Sequence, residues 1–267
     1  MSDSLTNAFA KAKFENRAVL IGYLPAGFPS QRAAKKIVKA MIKGGVDVME
    51  IGYPYSDPVM DGPVIQDASE QSLKNGTGAI EVFDLLKSSV NFGVPTLVMS
   101  YWSPIEKYGV AKFSKAIADA GGSGVITPDL TIEESDHWQL VCADNKIDRV
   151  YVVAPSSSDA RLPNVTKQCS GFIYAASLMG VTGTRDSVSG NASDLVSRIR
   201  KFSDLPVAVG LGVSTKEQAQ EVAKYADGVI VGSAFIKVIQ KYGATRRGLR
   251  KVKDLAKALS EGVRSAR

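Results

Sequence analysis

One local pattern recurs eight times along the chain: a short apolar run, a loop rich in Gly, Pro and Asp, and a stretch with helical amphipathic spacing. Short, almost wholly apolar strands separated by helices are typical of a parallel sheet that helices cover. The predicted strands are Val19–Leu24, Val46–Ile51, Pro95–Met99, Gly124–Thr127, Arg149–Val153, Phe172–Ala176, Pro206–Gly210 and Gly228–Val231. Eight βα units in 267 residues favour a closed α/β barrel, the (β/α)8 or TIM barrel, over an open doubly wound sheet.

The first 14 residues precede this repeat and place Leu5, Phe9 and Ala12 on one helical face. We expect them to form an extra N-terminal helix that closes the bottom of the barrel. No linker, low-complexity tract or block of charge divides the chain, so residues 1–267 are predicted to form a single domain.

Polar residues mark several helix starts. Ser30 is predicted to cap a helix that ends at Gly44-Gly45, since Ser favours the N-cap and Gly the C-terminal end. Thr131 and Ser214 each precede a Glu by two or three residues, an arrangement that resembles a capping box.

The net charge of +6 lies within residues 244–267, where eight Lys or Arg face two acidic residues. An apolar stripe recurs there at helical spacing, formed by Leu249, Val252, Leu255, Leu259 and Val263. The basic side chains are therefore predicted to form the solvated face of a C-terminal amphipathic helix. Nucleic-acid binding needs a broader basic surface with aromatic residues among the charges, so no nucleic-acid partner is expected.

The sequence also predicts the compartment. Its first residues lack the basic and apolar regions of a signal peptide, and no apolar run reaches the roughly 18 residues of a membrane span. Cys142 and Cys169 are too few and too far apart for a disulfide framework and are expected to be buried thiols. These features together predict a cytoplasmic protein with no membrane association.

Glu50 is a carboxylate inside the second predicted strand. Alternation along that strand puts Val46, Val48 and Glu50 on one face. Barrel enzymes carry their active sites at the carboxyl ends of the strands. A glutamate that points into the barrel mouth there would be desolvated, which raises its pKa and suits general acid–base catalysis. The alternative interpretation is a structural ion pair with a neighbouring cation.

The loop after this strand adds Asp57 and Asp61, so that three carboxylates fall within the 12 residues from Glu50 to Asp61. Asp61 stands in an Asp-Gly-Pro sequence that is typical of a tight turn. Taken alone, this pattern favours a turn-forming role for Asp61 over a catalytic one.

Three glycine-rich junctions follow the last three predicted strands, at Gly180–Gly183, Gly210–Ser214 and Gly232–Ala234. Glycine lets the backbone approach a ligand closely, and a helix N-terminus offers free N–H groups to an anion. The loops after strands seven and eight often bind phosphate in barrels. The junctions therefore indicate a phosphorylated ligand.

The sequence lacks the residues that several catalytic mechanisms require. No predicted strand contains a lysine that could form a Schiff base, and the single histidine, His137, falls in a helical stretch beside Trp138. The chain has neither a Gly-x-Ser-x-Gly nucleophile elbow nor a Walker loop. What remains is carboxylate-driven acid–base chemistry on a phosphorylated small molecule, with no metal site and no organic cofactor predicted.

These residues resemble a known family. The run from Glu50 to Pro63, with its Pro-x-Ser-Asp-Pro core at Pro54–Pro58, is similar to the signature of the tryptophan synthase alpha chain family. The glycine junctions resemble the phosphate-binding loops of that family, and residues 99–102 and 129–134 resemble further segments. The matches run in order from about residue 20 to residue 240, which is nearly the full chain.

The resemblance implies a lyase that cleaves indole-3-glycerol phosphate by a retro-aldol reaction. It implies that Glu50 matches the catalytic glutamate and Asp61 the catalytic aspartate. The phosphate-binding positions would then be Gly183, Gly212, Gly232 and Ser233, and the residues lining the substrate pocket Tyr174, Tyr101 and Thr182.

The resemblance also implies an α2β2 complex, in which indole passes to a beta subunit that carries pyridoxal phosphate. The alpha chain itself would need no cofactor. The surface that faces the beta subunit would include Tyr55, Asp57, Pro58 and Trp102. The sequence departs from the common family pattern at Leu178, Ser103 and Phe172, where relatives often carry Arg, Asn and Tyr.

The residues alone are also compatible with two other functions. A magnesium-dependent barrel lyase would use Glu50, Asp57 and Asp61 as oxygen ligands for a phosphorylated or enolpyruvyl substrate. A non-catalytic barrel that binds a metabolite as a scaffold would tolerate replacement of Glu50.

Overall fold

Eight parallel strands close into one barrel in the computed structural model, which describes residues 3–176, 185–210 and 212–266. Each strand pairs with the next along the chain, and the last pairs with the first. The strands are β1 Val19–Pro25, β2 Val48–Gly52, β3 Thr96–Met99, β4 Gly124–Thr127, β5 Asp148–Val153, β6 Ile173–Ala176, β7 Val207–Gly210 and β8 Gly228–Val231. The predicted barrel is thus confirmed, and every predicted strand is found.

The first helix precedes β1, and the other helices follow the strands and form the outer layer. They are α1 Asp3–Phe14, α2 Gln31–Lys43, α3 Pro63–Lys74, α4 Ala79–Val90, α5 Trp102–Tyr108, α6 Val110–Asp119, α7 Asp136–Asp144, α8 Leu162–Gln168, α9 Arg185–Ile199, α10 Lys216–Ala223, α11 Ser233–Tyr242 and α12 Arg246–Arg264. A short 3-10 helix covers Ile132–Glu134.

The barrel interior is a small apolar cluster separate from the larger core between strands and helices. Leu5, Phe9 and Ala12 of α1 belong to this interior cluster, together with inward-facing residues of all eight strands. The Phe9 and Phe172 rings lie 5.7 Å apart between centroids. The predicted N-terminal helix therefore closes the barrel at its amino end, which leaves the carboxyl end open for a site.

The C-terminal helix α12 lies on the outside of the barrel. Its buried side includes Val252, Leu259 and Val263, while Arg250, Lys253 and other basic residues are exposed. The predicted amphipathic helix with a solvated basic face is confirmed.

Local predictions were partly wrong at three positions. Val46 precedes β2 and packs in the outer core, so only Val48 and Glu50 share the inner face. The α10 cap is Thr215 and not Ser214, because the Thr215 side chain accepts the Gln218 N–H. Thr131 starts only the 3-10 turn and makes no side-chain cap. The Ser30 cap of α2 is confirmed by a 3.3 Å bond from the Ala33 N–H.

Two further sequence predictions concern membrane-spanning helices and the two cysteines. Among the described residues, no helix is both long and apolar enough to cross a membrane. Cys142 and Cys169 are buried free thiols, and burial raises the pKa of each to about 12.

Candidate active site

Glu50 lies at the carboxyl end of β2 on the inner side of the barrel, where its backbone pairs with Tyr23 of β1 and Leu97 of β3. Its side chain is fully buried. The strand positions it because each second residue of β2 points inward, so Val48 fills the barrel core and Glu50 lies one layer above it. The predicted inward orientation of Glu50 is confirmed.

The electrostatic setting of Glu50 follows from this burial. Neither carboxylate oxygen has a hydrogen-bond partner in the described part of the chain. Burial raises the pKa of Glu50 to about 8, because a desolvated carboxylate is costly without a compensating cation or donor. The protonated acid is therefore the dominant form at neutral pH, and no described cation forms the ion pair that the alternative interpretation required.

Asp61 lies in the loop between β2 and α3, residues 53–62, which we call the β2–α3 loop. Burial raises the pKa of Asp61, and a hydrogen bond from the Tyr101 hydroxyl opposes that rise. The same hydroxyl accepts a 3.0 Å hydrogen bond from the Met60 N–H. Asp61 is thus a half-buried carboxylate at the mouth, and its surroundings differ from those of a solvated turn residue.

Two more tyrosines line the mouth beside Glu50. Burial raises the pKa of Tyr23 and of Tyr174 well above the usual range, and the charges of Glu50 and Asp61 raise both further. Tyr174 is a pocket residue predicted from the sequence, whereas Tyr23 is not. The inward alternation of Val19, Ile21 and Tyr23 along β1 is the signal that identifies it.

Glycines give these tyrosine rings their room. A Cβ at Gly52 or Gly232 would overlap the Tyr23 ring, and one at Gly210 would overlap the Tyr174 ring. The glycines at the ends of β2, β7 and β8 therefore serve the walls of the pocket as well as the loops.

Three of the predicted phosphate positions, Gly212, Gly232 and Ser233, follow the neighbouring strands β7 and β8. Gly212 follows β7 with a φ of 73°, a conformation that favours glycine. Gly232 follows β8 and is the N-cap of α11, a helix start with no side-chain cap, and Ser233 is the first residue of that helix. Thr182 and Gly183 lie outside the described residues, as does Leu178.

The predicted partner residues lie at the outer rim of the mouth. Tyr55 and Pro58 line a surface groove of about 340 Å³, and Asp57 is exposed. Trp102 opens α5 and packs edge-on against Trp138 at 5.7 Å between centroids. Ser103 is exposed on the same helix, whereas Phe172 is buried in the barrel interior against Phe9.

The geometry does not bring the three loop carboxylates together. Asp57 is exposed and accepts a hydrogen bond from Ser56, whereas Glu50 is fully buried. Within the described ranges, no group of three or more His, Cys, Asp or Glu side chains has the arrangement of metal ligands.

Comparison with known proteins identifies the family. A family model described as tryptophan synthase alpha chain matches residues 9–264. The tryptophan synthase alpha chain of Nocardia farcinica is 50% identical over 262 residues, which cover 98% of this chain and 96% of that protein. That of Streptomyces avermitilis is 51% identical over 261 residues, which cover 97% and 94%. The chain belongs to the tryptophan synthase alpha chain family.

Solved structures agree with this membership. Tryptophan synthase of Mycobacterium tuberculosis in space group F222 superposes with a TM-score of 0.91 at 42% identity and covers 99% of both chains. A tryptophan synthase alpha subunit from Legionella pneumophila gives a TM-score of 0.89 at 29% identity, with 98% of both chains covered. Membership in the tryptophan synthase alpha chain family makes the chain a carbon–carbon lyase of tryptophan biosynthesis, and the barrel mouth described above is its candidate active site.

Proposed function

We propose that this chain, acting as a single-domain alpha subunit, cleaves indole-3-glycerol phosphate to indole and glyceraldehyde 3-phosphate with Glu50 as the proton shuttle. The observation that carries the proposal is the isolation of Glu50. It is fully buried in the barrel mouth, lacks a hydrogen-bond partner among the described residues, and has its pKa raised to about 8. A carboxylic acid in this state can donate a proton at neutral pH and take one back.

The reaction closes on the same carboxyl group. Protonated Glu50 gives its proton to C3 of the indole ring, which leaves a positive charge on the ring nitrogen. The Glu50 carboxylate then removes the proton of the 3′-hydroxyl. As that oxygen becomes the aldehyde carbonyl, the C3–C3′ bond breaks and its electron pair restores the neutral aromatic ring. Glu50 ends protonated, ready for the next turnover.

Asp61 has the complementary role in this proposal. Its ionised carboxylate accepts a hydrogen bond from the indole N–H and stabilises the positive charge that forms on that nitrogen. Asp61 must be ionised while Glu50 is protonated, and their surroundings differ in the required sense: Tyr101 donates a hydrogen bond to Asp61, and Glu50 has no described donor.

Backbone N–H groups around Gly183, Gly212, Gly232 and Ser233 hold the phosphate in this proposal. The uncapped N-terminus of α11 supports this role, because its free N–H groups and dipole attract an anion. Tyr174, Tyr101 and Thr182 line the pocket for the rest of the substrate.

The proposed partner is the beta subunit of tryptophan synthase in an α2β2 complex in the cytoplasm. Indole passes to the beta subunit, whose pyridoxal phosphate is the only cofactor this scheme requires. Tyr55, Asp57, Pro58 and Trp102 form the contact surface. Three of them belong to the β2–α3 loop and Trp102 follows the neighbouring β3 at the same end of the barrel, which supports this assignment.

The test is indole release from indole-3-glycerol phosphate by the native chain and by Glu50→Gln, each with and without beta subunit, in EDTA. We expect activity to survive EDTA and to fall at least about 100-fold in Glu50→Gln, since the amide cannot exchange the proton. Glu221→Gln, an exposed change on α10, is the matched control and should retain activity. Full activity of Glu50→Gln would refute the shuttle, and loss of native activity in EDTA would favour the magnesium-dependent lyase.

A further inference from the structure

The β2–α3 loop begins with a backbone hydrogen bond from the Tyr53 N–H to the Met99 carbonyl of β3, and beyond Tyr53 one side chain holds it to the rest of the barrel. Within the part of the chain that the structure describes, the 3.0 Å bond from the Met60 N–H to the Tyr101 hydroxyl is the only hydrogen bond with a measured distance that joins residues 54–61 to another βα unit. The outer side of this loop is open, with Val59 77% and Met60 41% exposed. The Asp61 carbonyl accepts a 2.8 Å hydrogen bond from Gln66 of α3, and the loop before it depends on a contact from the end of β3.

Tyr101 is itself held in place by burial and by contacts of its neighbours. It is 4% exposed and immediately precedes α5. The next residue, Trp102, donates its backbone N–H to the Asp129 carboxylate at 2.9 and 3.1 Å, which ties this turn to the end of β4. The Tyr55 ring packs against the Tyr101 ring at 5.2 Å between centroids. Contacts at the ends of β3 and β4 thus fix the position from which the Tyr101 hydroxyl binds the loop.

The direction of the two hydrogen bonds is fixed by their donors. The Met60 N–H can only donate, so the Tyr101 oxygen accepts there and its own proton is free for Asp61. A hydroxyl that donates to a carboxylate favours the ionised form of that carboxylate. The same hydroxyl therefore holds the residue next to Asp61 and opposes the rise that burial causes in the pKa of Asp61.

We propose that Tyr101 is a positioning residue for the lyase reaction: its hydroxyl holds the β2–α3 loop at Met60 and so places the adjacent Asp61 carboxylate towards the indole nitrogen. This role goes beyond lining the pocket and rests on the proposed function. The titratable groups that face Asp61 are Tyr101 from the end of β3, Tyr23 of β1 and Tyr174 of β6. Glu50 of β2 acts on the same two tyrosines, Tyr23 and Tyr174, and Asp129 acts on Tyr101 from the end of β4.

The test is Tyr101→Phe in the complex with beta subunit, with kcat and KM for indole release measured across pH. The ring contact with Tyr55 is kept and only the hydroxyl is lost. We expect the acidic limb of the kcat profile, which reports ionisation of Asp61, to move up by about one pH unit, and kcat at neutral pH to fall about tenfold. Tyr225→Phe is the matched control, because the Tyr225 hydroxyl is buried without a hydrogen-bond partner in the described ranges.

A double variant separates positioning from packing. In an Asp61→Asn background there is no carboxylate to ionise. Adding Tyr101→Phe there should lower kcat by less than about twofold and should leave the acidic limb of the kcat–pH profile where it was. An unmoved acidic limb in Tyr101→Phe, or a full tenfold loss in the Asp61→Asn background, would overturn the inference.

The parent proposal is tested in the same assay. If the native complex releases indole and Glu50→Gln does not, an unchanged Tyr101→Phe overturns the positioning role alone. A native complex without activity, or an active Glu50→Gln, overturns the proposed function and this inference with it.

Discussion

At the scale of single residues, burial decides the protonation state of the candidate shuttle. Glu50 and Asp61 are both carboxylates at one barrel mouth, yet only Asp61 has a described hydrogen-bond donor. The fully buried Glu50 keeps its proton up to a pKa of about 8. Two groups of one chemical type can therefore take opposite roles because their solvation differs.

Glu50→Gln should change how stability depends on pH. The folded pKa of about 8 lies above the ordinary value of 4.5 that an unfolded Glu has, so between those values the native state alone binds the proton. The free energy of unfolding of the native chain should therefore fall by at most about 5 kcal/mol as pH rises from 4.5 to 8. Above pH 8 it should stay constant. Glutamine cannot ionise, so the variant should match the native chain near pH 4.5 and exceed it at pH 8.5.

Urea unfolding of both chains at several pH values measures this difference, with Glu221→Gln as the exposed control. If the free energies of unfolding of the native chain and of Glu50→Gln differ by the same amount at every pH from 4.5 to 8.5, Glu50 does not carry a raised pKa.

At the scale of elements, α1 completes the barrel core. The strands alone leave the amino end of the interior uncovered, and α1 fills it with Leu5, Phe9 and Ala12. This helix belongs to no βα unit, and its apolar face is buried against the barrel interior. It lies at the end opposite to the candidate site, so its contribution is to stability.

Phe9→Ala should destabilise the protein by about 3–4 kcal/mol, since it removes a buried ring that packs on Phe172 and leaves a cavity. Phe14→Ala is the matched control on the same helix, because Phe14 is 92% exposed and its loss should cost under about 0.5 kcal/mol. Urea unfolding of the two variants measures the costs, and equal values would contradict burial of α1 in the barrel.

At the scale of the whole molecule, barrel closure collects the candidate site from separate units. Glu50 comes from β2, Tyr101 from the end of β3, Tyr174 from β6, and the uncapped helix start from the end of β8. The rim residues of the β2–α3 loop lie on the outer side of the same mouth. A partner bound at the rim would therefore contact the loop that carries Asp61.

Beta subunit should raise the rate of indole release about tenfold, because binding at the rim favours the ordered, active position of the β2–α3 loop. Asp57→Asn, an exposed change within that loop, should weaken the response to beta subunit in a titration. Asp254→Asn on α12 is the matched control and should respond as the native chain does. A matched beta subunit that leaves the rate unchanged would refute this coupling.

Much of this architecture was predictable from the sequence because it rests on local periodicity. Inward alternation located Glu50 on β2, and the same rule extended to β1 would have found Tyr23. Helical spacing predicted both the closing helix α1 and the amphipathic α12. These patterns are properties of neighbouring residues, so one sequence contains them.

Tertiary structure alone decided the contacts between distant units and the energies that depend on them. The bond from Met60 to Tyr101 joins residues 41 positions apart, and no local pattern encodes it. The start of β2 at Val48, beyond the apolar Val46, depends on pairing with β1. The pKa of Glu50 depends on how completely the closed barrel excludes water and donors from one carboxyl group. Residue type and spacing thus determined which side chains point inward, while closure of the barrel determined their neighbours and their charge.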